Sequence, residues 1–277
     1  MSTLYIVATP LGNLEDLTPR AQRVLGEVDV LYAEDTRRTR SLLQHFGIQR
    51  GLESLHEHNE RERSARVLAH LESGKSVALV SDAGTPVVSD PGDHVVAEAK
   101  AAGFTVSPVV GPSAWAAAVS VAGFPAIGTL FLGFVPHKGR ARNEALERVW
   151  THPGPVVLFE SPHRIAKTLD SLAAEQAERR GCVAREITKL HEEIRDGTLA
   201  ELAQWAAKGL KGELTVVLGP WHLATPDSDR EVDIALERCM AAGLSVRDGA
   251  AAVAAILERP RREVYARALE FWDKGRR

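Results

Sequence analysis

An α/β architecture is what the chain predicts: a parallel sheet with helices on its faces, a second α+β part built on a mixed sheet, and a small helical tail. Three observations carry this. Short β-rich runs alternate with helical stretches up to about residue 110, strands crowd together with fewer helices after Phe124-Pro125, and no strand pattern remains beyond Asp227. The boundaries fall at 1–122, 123–224 and 225–277.

In order, the first part offers strands at Leu4–Ala8, Asp29–Ala33, Leu52–Leu55, Ser76–Val80 and Thr105–Val110. Thr18-Pro19 gives a helix N-cap with Pro at the first helical position, and Asn59 is placed to cap a charged helix over Glu60–Glu72. The second part offers strands at Leu130–Phe134, Val156–Phe159, Cys182–Ile187, His191–Arg195 and Leu214–Leu218, the close pair around Lys189-Leu190 reading as an antiparallel hairpin. The tail reads as helices over Asp229–Ala241, Val246–Leu257 and Pro260–Trp272, with Ser245 as an N-cap. Its layout resembles a helix-turn-helix.

Composition narrows the function. Among 277 residues, 34 Lys and Arg stand against 37 Asp and Glu, a net charge of −3 that excludes coating nucleic acid by bulk charge and leaves local basic patches open. Two cysteines argue against a disulfide scaffold or a cysteine-built zinc site, and the expected compartment is the cytoplasm. Residues 101–137 lack any Asp, Glu, Lys or Arg, yet nine of those positions are Gly or Pro, so the segment reads as buried strand, loop, helix, loop and strand and not as a membrane span.

Several motifs fail. No G-x-G occurs, which removes the dinucleotide fingerprint; Gly74-Lys75-Ser76 lacks the upstream glycine of a phosphate loop; Gly111-Pro-Ser113-Ala-Trp115 has Trp where a nucleophile elbow needs Gly. Ser113 therefore reads as an N-cap or a ligand contact. His56 and His58 stand two apart, the wrong spacing for one helical face, so no metal is expected. What remains is three loops following strands: Thr9–Leu14, Ser81–Pro86 and Gly111–Ala114. Ligands of open α/β sheets bind beyond the carboxyl ends of the strands, so these loops should converge. None supplies Lys or Arg, which disfavours a polyanion and suits a nucleoside bearing a cationic group near Asp82.

The blocks Thr9-Pro-Leu-Gly-Asn-Leu14, Ala33-Glu-Asp-Thr-Arg-Arg-Thr39, His56-Glu-His-Asn-Glu60, Ser81–Gly92, Phe159-Glu-Ser-Pro-His-Arg164 and Arg185-Glu-Ile-Thr-Lys189 together resemble the small-subunit ribosomal RNA 2′-O-ribose methyltransferases of the tetrapyrrole-methylase superfamily, over essentially the whole chain. The resemblance implies a two-domain α/β homodimer of tetrapyrrole-methylase-like fold, S-adenosylmethionine between the domains, and methylation of a cytidine ribose in the decoding region of 16S rRNA, free or in the assembled small subunit. It implies cofactor contacts at Pro10, Leu11, Gly12, Asp82, Thr85, Ser113, Ala114, Leu158, Phe159, Ala184, Leu214 and Thr215.

Methyl transfer from a sulfonium needs alignment and a group to take the hydroxyl proton. Glu34, Asp35, Glu160, Glu186 and Lys189 are the candidates, against their use in ion pairs with Arg37, Arg38, Arg164 and Arg185. RNA contact is expected from Arg37, Arg38, Arg40, Lys138, Arg140, Arg142 and Arg164, with Phe134 among them. Two readings compete: a tetrapyrrole C-methyltransferase of the precorrin or uroporphyrinogen type, and a non-catalytic RNA-binding assembly module.

Overall fold

The computed structural model describes residues 2–221, 228–257 and 259–274. From the N-terminus run β1 (Thr3–Val7), α1 (Pro19–Glu27), β2 (Val30–Ala33), α2 (Thr36–His45), β3 (Leu52–Ser54), α3 (Glu60–Glu72), β4 (Val77–Val80), α4 (Asp93–Ala101), β5 (Thr105–Val109) and α5 (Ala114–Val121). The five strands form a parallel sheet in the order β3-β2-β4-β1-β5. Alternate residues of one strand serve opposite layers: Val7, Leu31, Ala33, Ala78 and Val80 pack with Ala21, Val24, Leu25 and Leu43, while Leu4, Tyr32, Val77 and Leu79 pack with Val67, Leu71, Val95 and Ala99. Helices on both faces explain why the central strands read as unbroken apolar runs.

Thr18 caps α1 as expected, its hydroxyl accepting from the Ala21 N–H at 3.1 Å. Asn59 does not cap α3. Its Oδ1 instead accepts from the His56 N–H at 2.8 Å, which closes the turn before the helix. The expected buried strand near Thr105 is an edge strand paired only with β1, leaving Thr105 and Pro108 exposed, a position that tolerates proline.

The second sheet uses β6 (Leu130–Phe134), β7 (Val156–Glu160), β8 (Arg180–Arg185), β9 (Glu193–Thr198) and β10 (Leu214–Leu218), interleaved with α6 (Gly139–Thr151), α7 (Ile165–Gln176) and α8 (Leu199–Ala206). Its order is β6-β7-β10-β8-β9, with β6 and β7 parallel and the other pairs antiparallel, so the mixed sheet is as expected. The hairpin's second strand starts later than the expected His191. Glu186 and Thr188 turn to φ 52° and 65°, ending β8 at Arg185, and the ladder resumes where Arg185 pairs with Glu193. One face of this sheet carries Val156, Leu158, Val183, Val216 and Leu218 against α6, α7 and α8. The other carries Val157, Cys182, Ala184 and Val217 against Ala118 and Ala122 at α5, which fastens the two sheets into one compact unit ending at Trp221.

Arg179 is fully buried in that unit and has no carboxylate partner among the described residues. Its guanidinium donates to the carbonyls of Gly219, Val149 and Gly154 and to Gln176 Oε1, at 2.8 to 3.0 Å, closing the ends of three segments. The tail forms a second compact unit of α9 (Ser228–Ala241), α10 (Val246–Ile256) and α11 (Arg261–Lys274) around Val232, Leu236, Ala250, Val253, Val264 and Ala268. Ser245 caps α10 as expected, accepting from the Asp248 N–H at 3.1 Å.

Truncating Arg179 strands three buried acceptors, each worth about 1–3 kcal/mol when left unpaired, and a fourth that is half-buried. Arg179→Met is therefore expected to lower unfolding free energy by at least about 3 kcal/mol, read by urea denaturation; a loss below about 1 kcal/mol would contradict the clamp.

Candidate active site

The order of the first sheet sets β4 beside β1 at its centre and β5 on the far side of β1, so the loops leaving these three strands emerge together. They are stitched to one another. Thr9 and Gly84 exchange main-chain hydrogen bonds at 2.9 and 3.0 Å, the Thr9 hydroxyl donates to the Ser81 carbonyl at 3.1 Å, and the Thr85 hydroxyl donates to the Pro112 carbonyl at 2.9 Å. Gly84 holds φ 86°, which only glycine adopts without strain, and a side chain there would meet Leu11.

Above these loops lies a cavity of about 450 Å³, a size suited to a small-molecule ligand. Leu11, Asp82, Thr85, Ser113 and Ala114 line it from the first sheet, and Phe159, Leu214 and Thr215 from the second. Ser113 occupies the N-cap position of α5, yet its hydroxyl makes no capping bond. Pro10 and Gly12 lie instead in an adjoining cavity, which shares Arg38 and Asp82 with the first. Two of the expected residues are not in the cavity lining. Leu158 is fully buried on the helix-covered face of β7, because neighbouring strand residues point to opposite faces and Phe159 takes the cavity side; Ala184 is fully buried against α5.

The acidic candidates separate by environment. Glu34 lines the cavity, and burial followed by the charge of Asp82 raises its pKa. Asp35 does not enter the cavity lining: it caps α2 through the Arg37 N–H and pairs with the Arg37 guanidinium, whose hydrogen bonds lower its pKa to about 2. Glu160 touches the cavity with its side chain buried and fully used, pairing with Arg164 at 2.6 Å and accepting from the Thr168 hydroxyl at 2.7 Å and the Ser161 N–H at 2.8 Å. Glu186 pairs with Lys189 at 2.9 Å, and that hydrogen bond holds its pKa down. Lys189 also reaches Glu213 at 3.0 Å; burial opposes its charge, yet these two partners leave its pKa raised. Its stem packs on Gly12, where no Cβ would fit.

Of the basic candidates, Arg38 reaches into the cavity and pairs with Asp82 at 3.2 Å. Arg37, Arg40, Lys138 and Arg140 are exposed, Arg37 paired with Asp35 and Arg140 with Glu144. Arg142, expected to contact RNA, is instead buried, donating to the Thr168 hydroxyl at 3.3 Å, and presents no cation to a partner. Arg164 is spent on Glu160 and the Val135 carbonyl. Phe134 is half-exposed at the cavity and meets the Phe159 ring edge-on, 5.5 Å between centroids. Asp90, which the sequence reading passed over, lines the cavity too, and burial followed by the charge of Glu34 raises its pKa to about 6. Its signal was its place between Ser89 and Pro91-Gly92 in the Ser81–Gly92 block. Among the described residues no His, Cys, Asp and Glu cluster could hold a metal.

Comparison with known proteins agrees with this geometry. The profile of the tetrapyrrole (corrin/porphyrin) methylases matches residues 3–203, and that of the RsmI C-terminal HTH domain matches residues 226–271. A ribosomal RNA small subunit methyltransferase I from Pseudomonas aeruginosa is 42% identical, covering 99% of both chains, and one from Xylella fastidiosa is 50% identical over 78% of this chain and 81% of its own. In structure, a uroporphyrin-III C-methyl transferase from Thermus thermophilus, solved in complex with S-adenyl homocysteine, superposes with a TM-score of 0.56 at 20% identity, covering 79% of this chain and 97% of that one.

Glu160 thus reads as the buried partner of Arg164 and Thr168. Removing one member of a buried pair costs about 3–5 kcal/mol, so Glu160→Ala should destabilise by that order, with Glu160→Gln losing less because it still accepts from Ser161 or Thr168. Equal stability of Glu160→Ala and the unaltered protein in urea would return Glu160 to the list of chemical groups.

Proposed function

The chain belongs to the ribosomal RNA small subunit methyltransferase I family of the tetrapyrrole methylases, and from that premise we propose that it transfers the methyl group of S-adenosylmethionine to the ribose 2′-oxygen of a cytidine in the decoding region of 16S rRNA. The observation that carries the donor is the cavity itself: three cation-free loops and the carboxylates of Glu34, Asp82 and Asp90 suit a ligand bearing a sulfonium and an ammonium. On this reading Leu11, Asp82, Thr85, Ser113, Ala114, Phe159, Leu214 and Thr215 hold the donor, with Pro10 and Gly12 shaping the loop behind it.

The donor supplies an electrophilic methyl carbon on a positively charged sulfur. The protein's part is alignment: main-chain groups of the stitched loops fix one partner, and Phe134 at the cavity offers a ring on which a base can stack. Phosphates stay outside, where Arg37, Arg40, Lys138 and Arg140 are exposed. The expectation of a homodimer rests on the family resemblance, and an rRNA substrate supports a cytoplasmic enzyme. No helix among the described residues is long and apolar enough to cross a membrane.

The test is transfer of labelled methyl from S-adenosylmethionine to unmethylated small ribosomal subunits, beside naked 16S rRNA and a tetrapyrrole precursor. Label in a 2′-O-methylcytidine is the expected result; label only in the tetrapyrrole would assign a C-methylase. A second expectation concerns charge. Replacing Arg37, Arg40, Lys138 and Arg140 with Ala together should weaken RNA binding at least about tenfold and flatten its salt dependence, while donor affinity by calorimetry stays within about twofold.

A further inference from the structure

Pro10, Gly12 and Leu14, beyond β1, wall the adjoining cavity against α2, and its volume of about 450 Å³ is again that of a small-molecule site. The two cavities differ in charge. Glu34, Asp82, Asp90, Glu160 and Glu213 line the first, whereas Asp82 is the one carboxylate among the described residues of the second. There α2 presents Arg38, Ser41, Leu42 and His45, whose spacing of three, one and three places them on a single helical face. A guanidinium and an imidazole N–H suit phosphate oxygens, and Leu14 and Leu42 offer apolar sides to a sugar or base, so this lining fits the nucleotide that the carboxylates of the first cavity repel.

Arg38 and Asp82 belong to both linings. One Asp82 oxygen accepts from the Asp35 N–H at 2.9 Å, and the other meets a single Arg38 nitrogen at 3.2 Å. The Arg38 side chain is 65% exposed. A one-point contact so open to solvent holds an arginine weakly, while a phosphate engages two of its N–H groups at once. The pair therefore lasts only while Asp82 lacks another cation. A sulfonium donor brings one, because its sulfonium and ammonium together outweigh its carboxylate.

We propose that the adjoining cavity binds a nucleotide of the acceptor RNA through its phosphate, and that the donor readies it by releasing Arg38 from Asp82, an inference that rests on reading the first cavity as the site of methyl transfer to RNA. Without donor, Arg38 neutralises Asp82. With donor bound, the donor's charge does so, and the guanidinium, repelled by a like charge, turns to the phosphate in the adjoining cavity. Donor and RNA then bind cooperatively, each raising the other's affinity by the same factor.

The test uses the full chain and sinefungin, a donor analogue with an amine in place of the methyl sulfonium, which transfers nothing. Sinefungin is expected to tighten binding to unmethylated small ribosomal subunits at least about fivefold, and subunits to tighten sinefungin binding, read by calorimetry, by the same factor. Arg38→Ala should erase this coupling to within about 1.5-fold, keep donor-free subunit binding within about twofold, and bind sinefungin at least as tightly as the unaltered protein, because no cation has to be displaced; Arg38→Lys should restore part of the coupling. Arg40→Ala, which removes an exposed cation outside both linings, should weaken subunit binding equally with and without sinefungin. Ser41→Phe fills the adjoining cavity from an exposed position on α2 and should raise the subunit concentration for half-maximal methyl transfer at least about fivefold, with donor affinity within about twofold. Subunit binding that ignores sinefungin overturns the proposal, as does an Arg38→Ala loss that is equal with and without sinefungin, weaker sinefungin binding by Arg38→Ala, or unchanged transfer by Ser41→Phe. Where the unaltered protein still methylates subunits, those outcomes remove this inference alone; where it methylates no RNA, the reading beneath it falls as well.

Discussion

The reciprocal hydrogen bonds between Thr9 and Gly84 are the constraint on which the site depends. Two parallel strands set side by side must release their chains at the same edge, and the main-chain groups beyond the last ladder bond need partners. Here the two loops satisfy each other, and Thr85 ties in the third through Pro112. The floor of the cavity is thus made of main chain held by main chain. Glycine serves these loops where a neighbouring side chain packs on them: a Cβ at Gly12 would strike the Lys189 stem, and one at Gly84 would meet Leu11.

A floor needs a wall at fixed distance. The second sheet gains this from α5, whose Ala118 and Ala122 pack on Val157, Cys182, Ala184 and Val217, and from the Asn13 N–H, which donates to the Thr188 hydroxyl at 3.1 Å. The hairpin turn at Glu186 and Thr188 pays in positive φ for bringing Thr188 and Lys189 onto the first loop. Buried polar clamps, Arg179 on four acceptors and Glu160 with Arg164, hold the strands and helices behind that wall. These side chains look like chemistry in a sequence and act as structure in the fold.

That ambiguity marks the limit of what the sequence discloses. Strand–helix alternation and the Gly- and Pro-rich loops after β1, β4 and β5 were legible, because sheet topology forces such loops to one edge and composition says what they can bind. Side-chain direction was not. Leu158 fell in the right strand on the helix-covered face, since a shift of one residue exchanges the faces of a strand, whereas Ala184 shares its face with Thr215 and Phe159 and is covered by α5. Arg142 stood among exposed cations in the sequence, yet α6 turns it onto Thr168. Asp90 was hidden for the opposite reason: in a block of Gly, Pro, Ser and Asp it reads as turn chemistry, and only the fold places it in the cavity lining.

The charge pattern adds a selection rule. Glu34, Asp82, Asp90 and Glu213 line the cavity, and Arg38, the cation that reaches it from α2, is held on Asp82. A phosphate brought inside would meet carboxylates in a half-buried setting, where repulsion is poorly screened. On the proposed reading, an RNA strand therefore cannot thread through this cavity. Its phosphates remain with the exposed cations outside while a single sugar and base turn inward, the base meeting Phe134 and the hydroxyl meeting the carboxylates. Such a site favours a nucleotide that leaves its stack cheaply, so the shape of the RNA around the target contributes to selection before any base edge is read.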